Sequence, residues 1–437
     1  MRVSTGMIFD AGVSSMQQRQ QDTLKTQQQI SSGTRILRPA DDPVAATAIL
    51  GLTQAQGIGA QFRLNADSAM ESLASSEQAL ADATRVLQDL KALAVSSGNA
   101  ALNDDNRRSM AAEATGLYEE LLSIANRTDG TGRYLFSGFQ DGTQPFVQSA
   151  PGTVSYAGDQ GRREMQVSAS RSISASEPGN SVFMDIREGN GVFATAPATA
   201  TPNSGSGVIG PGSVLDAAKW NANGNPRDFS VVFHVDGSVT PAVTTYDVVD
   251  NVNNISLLTG AAPAAGPYLR PYTPGAEISL ARQAPPDTNP AAFDYGALVA
   301  ISGAPKSGDS FTIKASSPQD VFSTAHDLAA ALTAGSGNND TSRADYQNRL
   351  NAVMSNLDRS LDQVLTVRAS TGARMREAEA AKGASESVDL QYAKRLSELR
   401  DLDYAKALSD LAQQQFYLEA AQKSFKEISG SVLFNYL

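Results

Sequence analysis

The chain has 437 residues, no cysteine and a formal net charge of -11 at pH 7. Its length allows two or three domains with cores of their own. The lack of cysteine excludes disulfides, thiolate catalysis and cysteine-ligated metals, and the acidic balance argues against nucleic acid or an anionic membrane as partner. No window approaches the roughly 20 apolar residues of a membrane span, so no membrane insertion is expected, and the first residues lack the apolar core of a cleaved signal peptide.

The distribution of proline separates the ends of the chain from its middle. Seventeen of the nineteen prolines lie between Pro145 and Pro318, and none follows Pro318. Because proline is excluded from helix interiors, only the two ends can form long helices. The sequence therefore predicts a mainly α protein with a β-rich insertion: a discontinuous antiparallel helical bundle or coiled coil from both chain ends, carrying a central β domain.

Both ends carry apolar residues at seven-residue spacing, the period of a coiled-coil seam that needs a partner helix. Such a narrow seam buries too little surface to offset an ordering cost of roughly 1 to 2 kcal/mol per residue. We therefore expect the terminal helices to be disordered in the free subunit and to order against other subunits. The predicted subunit-interface residues are Phe9, Met16, Ile30, Leu37, Tyr404, Leu411, Leu418, Phe425 and Val432. Leu411, Leu418 and Phe425 are spaced by seven residues and form one stripe of the C-terminal helix. We expect the side chains of this stripe to be largely solvated in the monomer.

The stretch "SSGTRILRPADDPVAATAIL" at residues 31–50 breaks the helical pattern and predicts a hinge. Gly33 suits a left-handed C-cap of the first helix. Asp42 suits an N-cap, Pro43 suits the first position of the next helix, and Asp41 adds favourable charge at its positive end. That helix is expected to run to about Ser97.

A second break, "SSGNAALNDDN", precedes another predicted helix, for which Asp104 or Asp105 is the expected cap and "NRTDGTG" the end. Leu73, Leu80 and Leu87 give the seam of the bundle on the N-terminal side. Leu350, Leu357 and Val364 give it on the C-terminal side.

The middle of the chain predicts strands. "TVSYAGDQGRREMQVSASRSISA" is typical of a hairpin, "DFSVVFHVDGSVTPAVTTYDVVDN" of two strands around an Asp-Gly turn, and "ALVAISGAPKSGDSFTIKA" of a strand, a turn and a return strand. We predict three domains: a terminal coiled coil of residues 1–40 and 400–437, a bundle of residues 41–190 and 311–399, and a β-rich surface insertion of residues 191–310.

No catalytic, cofactor-binding or metal site is predicted, so the chain is not expected to be an enzyme. "GSGVIG" at 205–210 lacks the flanking strand and helix of a dinucleotide fold and suggests a flexible turn. His234 and His326 lack metalloprotease spacing and suit a strand and a helix. Asp401 and Asp403 fall in a helical heptad and suggest a solvated face.

Aromatic residues in the insertion leave one alternative open, a surface adhesin or glycan-binding module. Stacking surfaces could come from Trp220, Tyr246, Tyr268, Tyr272 and Tyr295. Core positions are the commoner role of strand aromatics.

Seven motifs occur in order, and they are "MRVSTGMIFDAGVSSM", "SSGTRILRPADDPVAA", "GRYLFSGFQDGTQPF", "VSYAGDQGRREMQVS", "EPGNSVF", "TGARMREAE" and the long ending that closes with "SVLFNYL". Together they resemble the flagellin superfamily, and more closely its FlgL family of hook-associated proteins. The resemblance covers nearly all of residues 1–190 and 300–437. Pro43-Val44-Ala45 and "FNYL" favour that family over flagellin itself, which is the alternative.

The resemblance implies structural work at the hook-filament junction of the bacterial flagellum. It implies export in the unfolded state through the flagellar type III apparatus, and so a secreted protein without a cleaved signal. The implied partners are copies of itself in a ring, flagellin, the hook-associated protein FlgK and an export chaperone.

Overall fold

The computed structural model describes the backbone of residues 5–434 and the side chains of residues 7 and 9–427. Within that range the helices are α1 Thr5–Ser32, α2 Pro43–Ser97, α3 Asp104–Ala125, α4 Ala217–Trp220, α5 Val321–Ala334, α6 Asp340–Arg400 and α7 Tyr404–Phe434, with a short π-helix at Asn180–Met184. Long helices at both ends flank a β-rich middle, which confirms the predicted fold class.

The described strands all lie between α3 and α5. They are β1 Phe146–Ala150, β2 Thr153–Tyr156, β3 Glu164–Ser168, β4 Arg171–Ser174, β5 Ile186–Arg187, β6 Phe193–Pro197, β7 Val208–Ile209, β8 Ser213–Val214, β9 Asp228–Asp236, β10 Val243–Asp250, β11 Ile255–Ser256, β12 Arg270–Pro271, β13 Glu277–Ala281, β14 Asp294–Ser302, β15 Ser310–Ala315 and β16 Pro318–Gln319.

Two details of the predicted helices are wrong. The cap of α3 is Asn103, whose side chain accepts a hydrogen bond from the amide of Asn106, and not Asp104 or Asp105, which form the first turn. Asp401 and Asp403 do not lie within a helix, because α6 ends at Arg400 and α7 begins at Tyr404. The carboxylate of Asp403 accepts from the amide of Lys406, so it caps α7.

Two of the predicted strand pairings are also wrong. The "TVSY" strand β2 pairs with the preceding β1, and β3 pairs with β4, so the predicted single hairpin is two hairpins. Strands β14 and β15 do not pair with each other but join different sheets. The pairing of β9 with β10 around the Asp-Gly turn is confirmed.

The insertion is a sandwich of two antiparallel sheets. One sheet has the order β11-β10-β9-β15-β6, with β12 also paired to β10. The other has the order β13-β14-β7, with β8 also paired to β14. Side chains from both sheets form one core around Trp220, which is 1% exposed. Tyr246 is buried at this core and Tyr272 and Tyr295 pack against it, so these aromatics support the sandwich.

A second core lies in the helical bundle. It joins α2, α3, α5 and α6 with the β1–β2 hairpin and the π-helix. Leu80, Leu87, Leu350, Leu357 and Val364 are each fully buried in it, which confirms the seams read from their spacing. His326 lies in α5 and His234 in β9, as predicted.

The chain divides into two compact units. The terminal unit comprises Met1–Asp67, Gln166–Arg171 and Glu379–Leu437, and the central unit comprises Ser68–Met165 and Ser172–Ala378. Both the bundle core and the insertion core lie in the central unit. The divisions fall inside α2 and α6, which are continuous, whereas the predicted three-domain division remains a prediction.

A row of polar side chains on α6 holds the insertion onto the bundle. Asn348 accepts from the amide of Ile209 at 2.8 Å and donates to the carbonyl of Gly207 at 3.1 Å. The polar row continues along the helix. One turn further, Asn351 donates to the Ile209 carbonyl. Two turns further, Ser355 donates to the Gly189 carbonyl and Asn356 accepts from the Gly189 amide. The "GSGVIG" segment is therefore an anchored strand edge and not a flexible turn.

Replacing Asn348 by alanine should lower the free energy of unfolding by about 1 to 3 kcal/mol, because the buried Ile209 amide and Gly207 carbonyl lose their partner. Urea denaturation of the full chain measures this. Arg349→Ala is the matched control: its exposed ion pair with Asp345 is worth at most about 1 kcal/mol. Equal midpoints for the two variants would contradict the anchoring role of the polar row.

Candidate assembly interface

The two ends of the chain pair with each other as helices α1 and α7. The rings of Phe9 and Phe425 lie 5.0 Å apart, and the guanidinium of Arg19 lies 5.6 Å from the ring centroid of Tyr417. The hydroxyl of Thr26 donates to the side-chain oxygen of Gln414 at 3.0 Å. The seam read from the sequence is thus real, and its partner helix lies in the same chain.

The predicted interface residues fall on different parts of this pair. Met16, Ile30, Leu411, Leu418 and Phe425 are half-buried. The expectation that the Leu411–Leu418–Phe425 stripe is largely solvated in a single subunit is therefore wrong for this structure.

The remaining residues lie at the ends of the pair. Phe9 and Tyr404 are half-exposed, at 51% each. Leu37 lies beyond the end of α1, so it does not continue the seam. Val432 lies in α7, but its side chain is outside the described residues. A role of these residues between subunits, and ordering only on assembly, stay predictions.

The hinge residues have the local geometry read from the sequence. Gly33 has a φ of +71°, and its amide donates to the Gln29 carbonyl at 2.8 Å, as in a left-handed C-cap. Asp42 accepts from the Ala45 amide at 3.0 Å, and Pro43 is the first residue of α2.

Asp41 holds the turn between the two helices. Its carboxylate binds Lys25 Nζ at 2.8 Å and accepts from the amides of Leu37 and Arg38. The hydrogen bond from Lys25 holds the pKa of this carboxyl below its usual range. Because the folded pKa is lowered, the stabilising effect is full at neutral pH and is lost as the pH falls through that value.

The hinge is bonded to the break between α6 and α7, a feature that the sequence analysis missed. The amide of Arg35 donates to the Arg400 carbonyl at 2.7 Å, and the amide of Leu402 donates to the Gly33 carbonyl at 3.0 Å. Arg35 also donates through its guanidinium to the Leu399 carbonyl. Both chain breaks, residues 33–42 and 400–403, therefore form one polar joint, called here the double break.

The terminal unit buries very little apolar surface. Among its described side chains the buried apolar ones are Ala45, Ala66, Val167, Leu396 and Ala407. The unit holds less than a third of the residues, yet of the twenty-one large apolar side chains that are exposed among the described residues it carries thirteen. Those on α7 are Tyr404, Leu408, Phe416 and Tyr417, and those on α2 include Val44 and Leu50. Exposed apolar side chains are typical of interaction sites when they form a contiguous patch, so this surface is a candidate interface.

An open groove of about 650 Å³ lies beside the double break. Val44, Ala48, Leu52 and Leu399 supply its apolar walls, and Arg35 lies at its polar side. Val44 is 80% exposed, so the groove adds to the apolar surface of the terminal unit.

Hydrogen bonds within the central unit join two of the sequence motifs, "GRYLFSGFQDGTQPF" and "VSYAGDQGRREMQVS". Tyr156 donates to the carbonyls of Phe136 and Asp159, and Asp159 accepts from the amides of Phe139 and Gly161. Burial raises the pKa of Tyr156 to about 12. The amide of Phe139 holds the pKa of Asp159 below its usual range.

Glu177 ties three further motif segments together. It is 5% exposed and pairs with Arg374 and with Arg162, the latter at 3.1 Å. A buried carboxylate requires such partners. The contacts of these motif residues therefore stabilise the fold of the bundle.

Two further features of the described residues bear on function. In the described part of the chain no group of three or more histidine, aspartate or glutamate side chains is placed to hold a metal ion. None of the described helices combines the length and apolar character needed to cross a membrane.

The chain is similar to flagellar proteins in both sequence and structure. Residues 3–141 match the family profile of the bacterial flagellin N-terminal helical region. The flagellar hook-associated protein 3 of Escherichia coli K12 is 33% identical over 218 residues, which cover 50% of this chain and 65% of that protein.

Solved structures extend the similarity. The FlgL crystal structure from Xanthomonas campestris has a TM-score of 0.65 at 33% identity, covering 79% of this chain and 99% of that one. The hook-associated protein-3 of Legionella pneumophila has a TM-score of 0.68 at 27% identity, covering 80% and 98%.

The pairing of α1 with α7, the helical bundle of the central unit and the match to the flagellin N-terminal helical region define a structural protein of the flagellin superfamily. Within that superfamily, the chain belongs to the FlgL family of flagellar hook-associated proteins.

The double break makes glycine necessary at position 33. Gly33→Ala should destabilise the α1 end by about 1 to 2 kcal/mol, because an L-residue is strained at this φ. An added Cβ would also lie 2.9 Å from Tyr404 Oη. Amide hydrogen exchange along α1 and α7 measures the loss.

Gly51→Ala is the matched control for this prediction. Gly51 lies within α2 with nothing within 4 Å of an added Cβ. This substitution should stabilise the helix by about 0.5 to 1 kcal/mol. Equal exchange protection in both variants would show that the double break does not constrain α1.

Proposed function

We propose that the chain is a structural component of the flagellum that joins the hook-associated protein FlgK to the flagellin filament. The observation that carries this proposal is the terminal unit, in which few of the described apolar side chains are buried and thirteen large ones are exposed. Such a unit gains further stability by burying its exposed apolar surface against neighbours. Membership of the FlgL family supports the same role.

The partners follow from this role. Copies of the chain form a ring through the terminal unit, with flagellin on one side and FlgK on the other. An export chaperone covers the C-terminal helix before secretion through the type III apparatus, and the assembled protein resides at the hook-filament junction. The role is structural, so no enzyme activity is proposed. An atypical flagellin is not favoured, because the relatives that match at 33% identity are hook-associated proteins.

Phe416 offers a direct test on the exposed side of α7. Its side chain is 65% exposed, so Phe416→Asp should leave the thermal midpoint of the purified chain nearly unchanged. In the assembled state a buried unpaired charge costs several kcal/mol. Cells carrying only this variant should secrete it, fail to retain filaments and lose flagellin to the medium.

Gln415→Asp is the control, since it adds the same charge at a neighbouring exposed position without removing an apolar contact. It should preserve swimming. Normal filaments with Phe416→Asp would show that this side of α7 is not an assembly interface. A large fall in the thermal midpoint would show instead that Phe416 stabilises the subunit itself.

The insertion is expected to be dispensable for assembly, because its core is separate from that of the bundle. The structure supplies the cut points: β5 pairs with β16, and the Glu188 amide donates to the Ser317 carbonyl. Replacing residues 190–316 by a short Gly-Ser linker should give a folded, exported protein that still retains filaments. Detached filaments despite an intact helical circular-dichroism signal and normal secretion would contradict this.

A further inference from the structure

The sequence contains two Asn-Gly dipeptides, Asn190-Gly191 and Asn223-Gly224. Asparagine followed by glycine is the arrangement most open to attack by the next backbone nitrogen on the side-chain carbonyl, because glycine has no side chain to hinder it. Asn223 lies within the insertion and Asn190 immediately before its first residue, so a comparison between the two dipeptides isolates the effect of the local structure.

The fold blocks this chemistry at Asn190. Its side-chain oxygen accepts from the amides of Val192 and Phe193 at 3.0 and 2.9 Å, and its side-chain nitrogen faces the carbonyls of Pro211 and Gly212. The attacking atom is also engaged, because the Gly191 amide donates to the Glu188 carbonyl at 3.1 Å. Reaction there requires local opening of the insertion.

The surroundings of Asn223 are the opposite. It lies in the loop between α4 and β9, and Asn223 and Gly224 are both exposed. Within the described structure the Asn223 side chain has no hydrogen-bond partner, and the Gly224 amide donates to none. Nothing lies within 4 Å of the position of a Cβ on Gly224, so the turn has room to change.

Asn223 and Gly224 occupy the two central positions of a hydrogen-bonded turn. The Asn225 amide donates to the Ala222 carbonyl at 3.2 Å, which closes a four-residue turn with Asn223 and Gly224 at its centre. Gly224 has a φ of +88°, the geometry of glycine in the third position of a type II turn. Asn225 in turn donates to the Trp220 carbonyl at 2.7 Å, which ties the turn to the sandwich core.

We propose that Asn223 is a site of spontaneous deamidation in the folded protein, and that Asn190 is protected by the fold. The Gly224 nitrogen forms a bond to Cγ of Asn223, and the carboxamide nitrogen leaves as ammonia, taking up the proton of the Gly224 amide. Water then opens the five-membered succinimide at either carbonyl and returns a proton to the Gly224 nitrogen. The products are aspartate and isoaspartate, each with one more negative charge than the original chain.

Peptide mapping of the full chain by mass spectrometry tests the proposal. Cleavage after Lys219 and Arg227 isolates the Asn223 site in a peptide of residues 220–227, and cleavage after Arg187 and Lys219 isolates the Asn190 site. After incubation of the folded chain at mildly alkaline pH, conversion at Asn223 should be faster than at Asn190 by at least about tenfold.

Incubation in urea supplies the control, because the two dipeptides should then convert at rates within about threefold of each other once local structure is gone. Gly224→Ala should slow conversion at Asn223 in the folded chain while leaving the rate at Asn190 unchanged. Equal rates at the two sites in the folded chain would overturn the proposal. An unchanged ratio in urea would also overturn it, because the difference would then not come from the fold.

Discussion

The pairing of α1 with α7 is the constraint on which the arrangement of the chain depends. These helices come from opposite ends of a 437-residue sequence, and each presents only a narrow seam to the other. The segments that follow α1 and precede α7 lie side by side, as the hydrogen bond from the Leu402 amide to the Gly33 carbonyl shows. A bundle that takes two helices from the N-terminal half and two from the C-terminal half is consistent with this arrangement, and an insertion whose ends meet at β5 and β16 preserves it.

The double break turns this constraint into a defined geometry. Two helical interruptions far apart in sequence lie side by side and exchange backbone hydrogen bonds through Gly33, Arg35, Arg400 and Leu402. Asp42 and Asp403 cap α2 and α7, and Arg35 binds the last carbonyls of α6, so backbone groups at several helix ends find partners in one small region. The terminal helices are thereby attached through a joint that is specific in hydrogen bonding yet buries little apolar surface.

Much of this organisation could be read from the sequence, because it rests on local rules. The proline distribution located the β-rich middle, the seven-residue spacing located the seams, and Gly33, Asp42 and Pro43 located the hinge. The break between α6 and α7 was missed because Asp401 and Asp403 were assigned to a continuous helix, and no proline or glycine marks the interruption. The cap signal of an aspartate just before an apolar helix, "DLDY", could have located it.

What could not be predicted depended on tertiary context. The hairpin predicted from residues 153–175 divided because β2 found a partner upstream, and β14 and β15 joined different sheets. Periodicity shows that the α7 seam needs a partner helix but not how many helices share it, so contacts of this seam with neighbouring subunits, beyond its pairing with α1, stay a prediction. The pairing of Glu177 with Arg162 and Arg374 joins residues up to 197 positions apart, beyond any local pattern.

The polar row on α6 has a consequence for how this protein can vary. Asn348, Asn351, Ser355 and Asn356 bind the insertion mainly through its backbone amides and carbonyls, atoms that every residue type except proline provides in full. A contact of this kind does not depend on the side chains of the strand it holds. The surface residues of the insertion are therefore free to change while its hydrogen bonds to α6 are preserved. Variants of the insertion with different surfaces can bind the same helix in the same way.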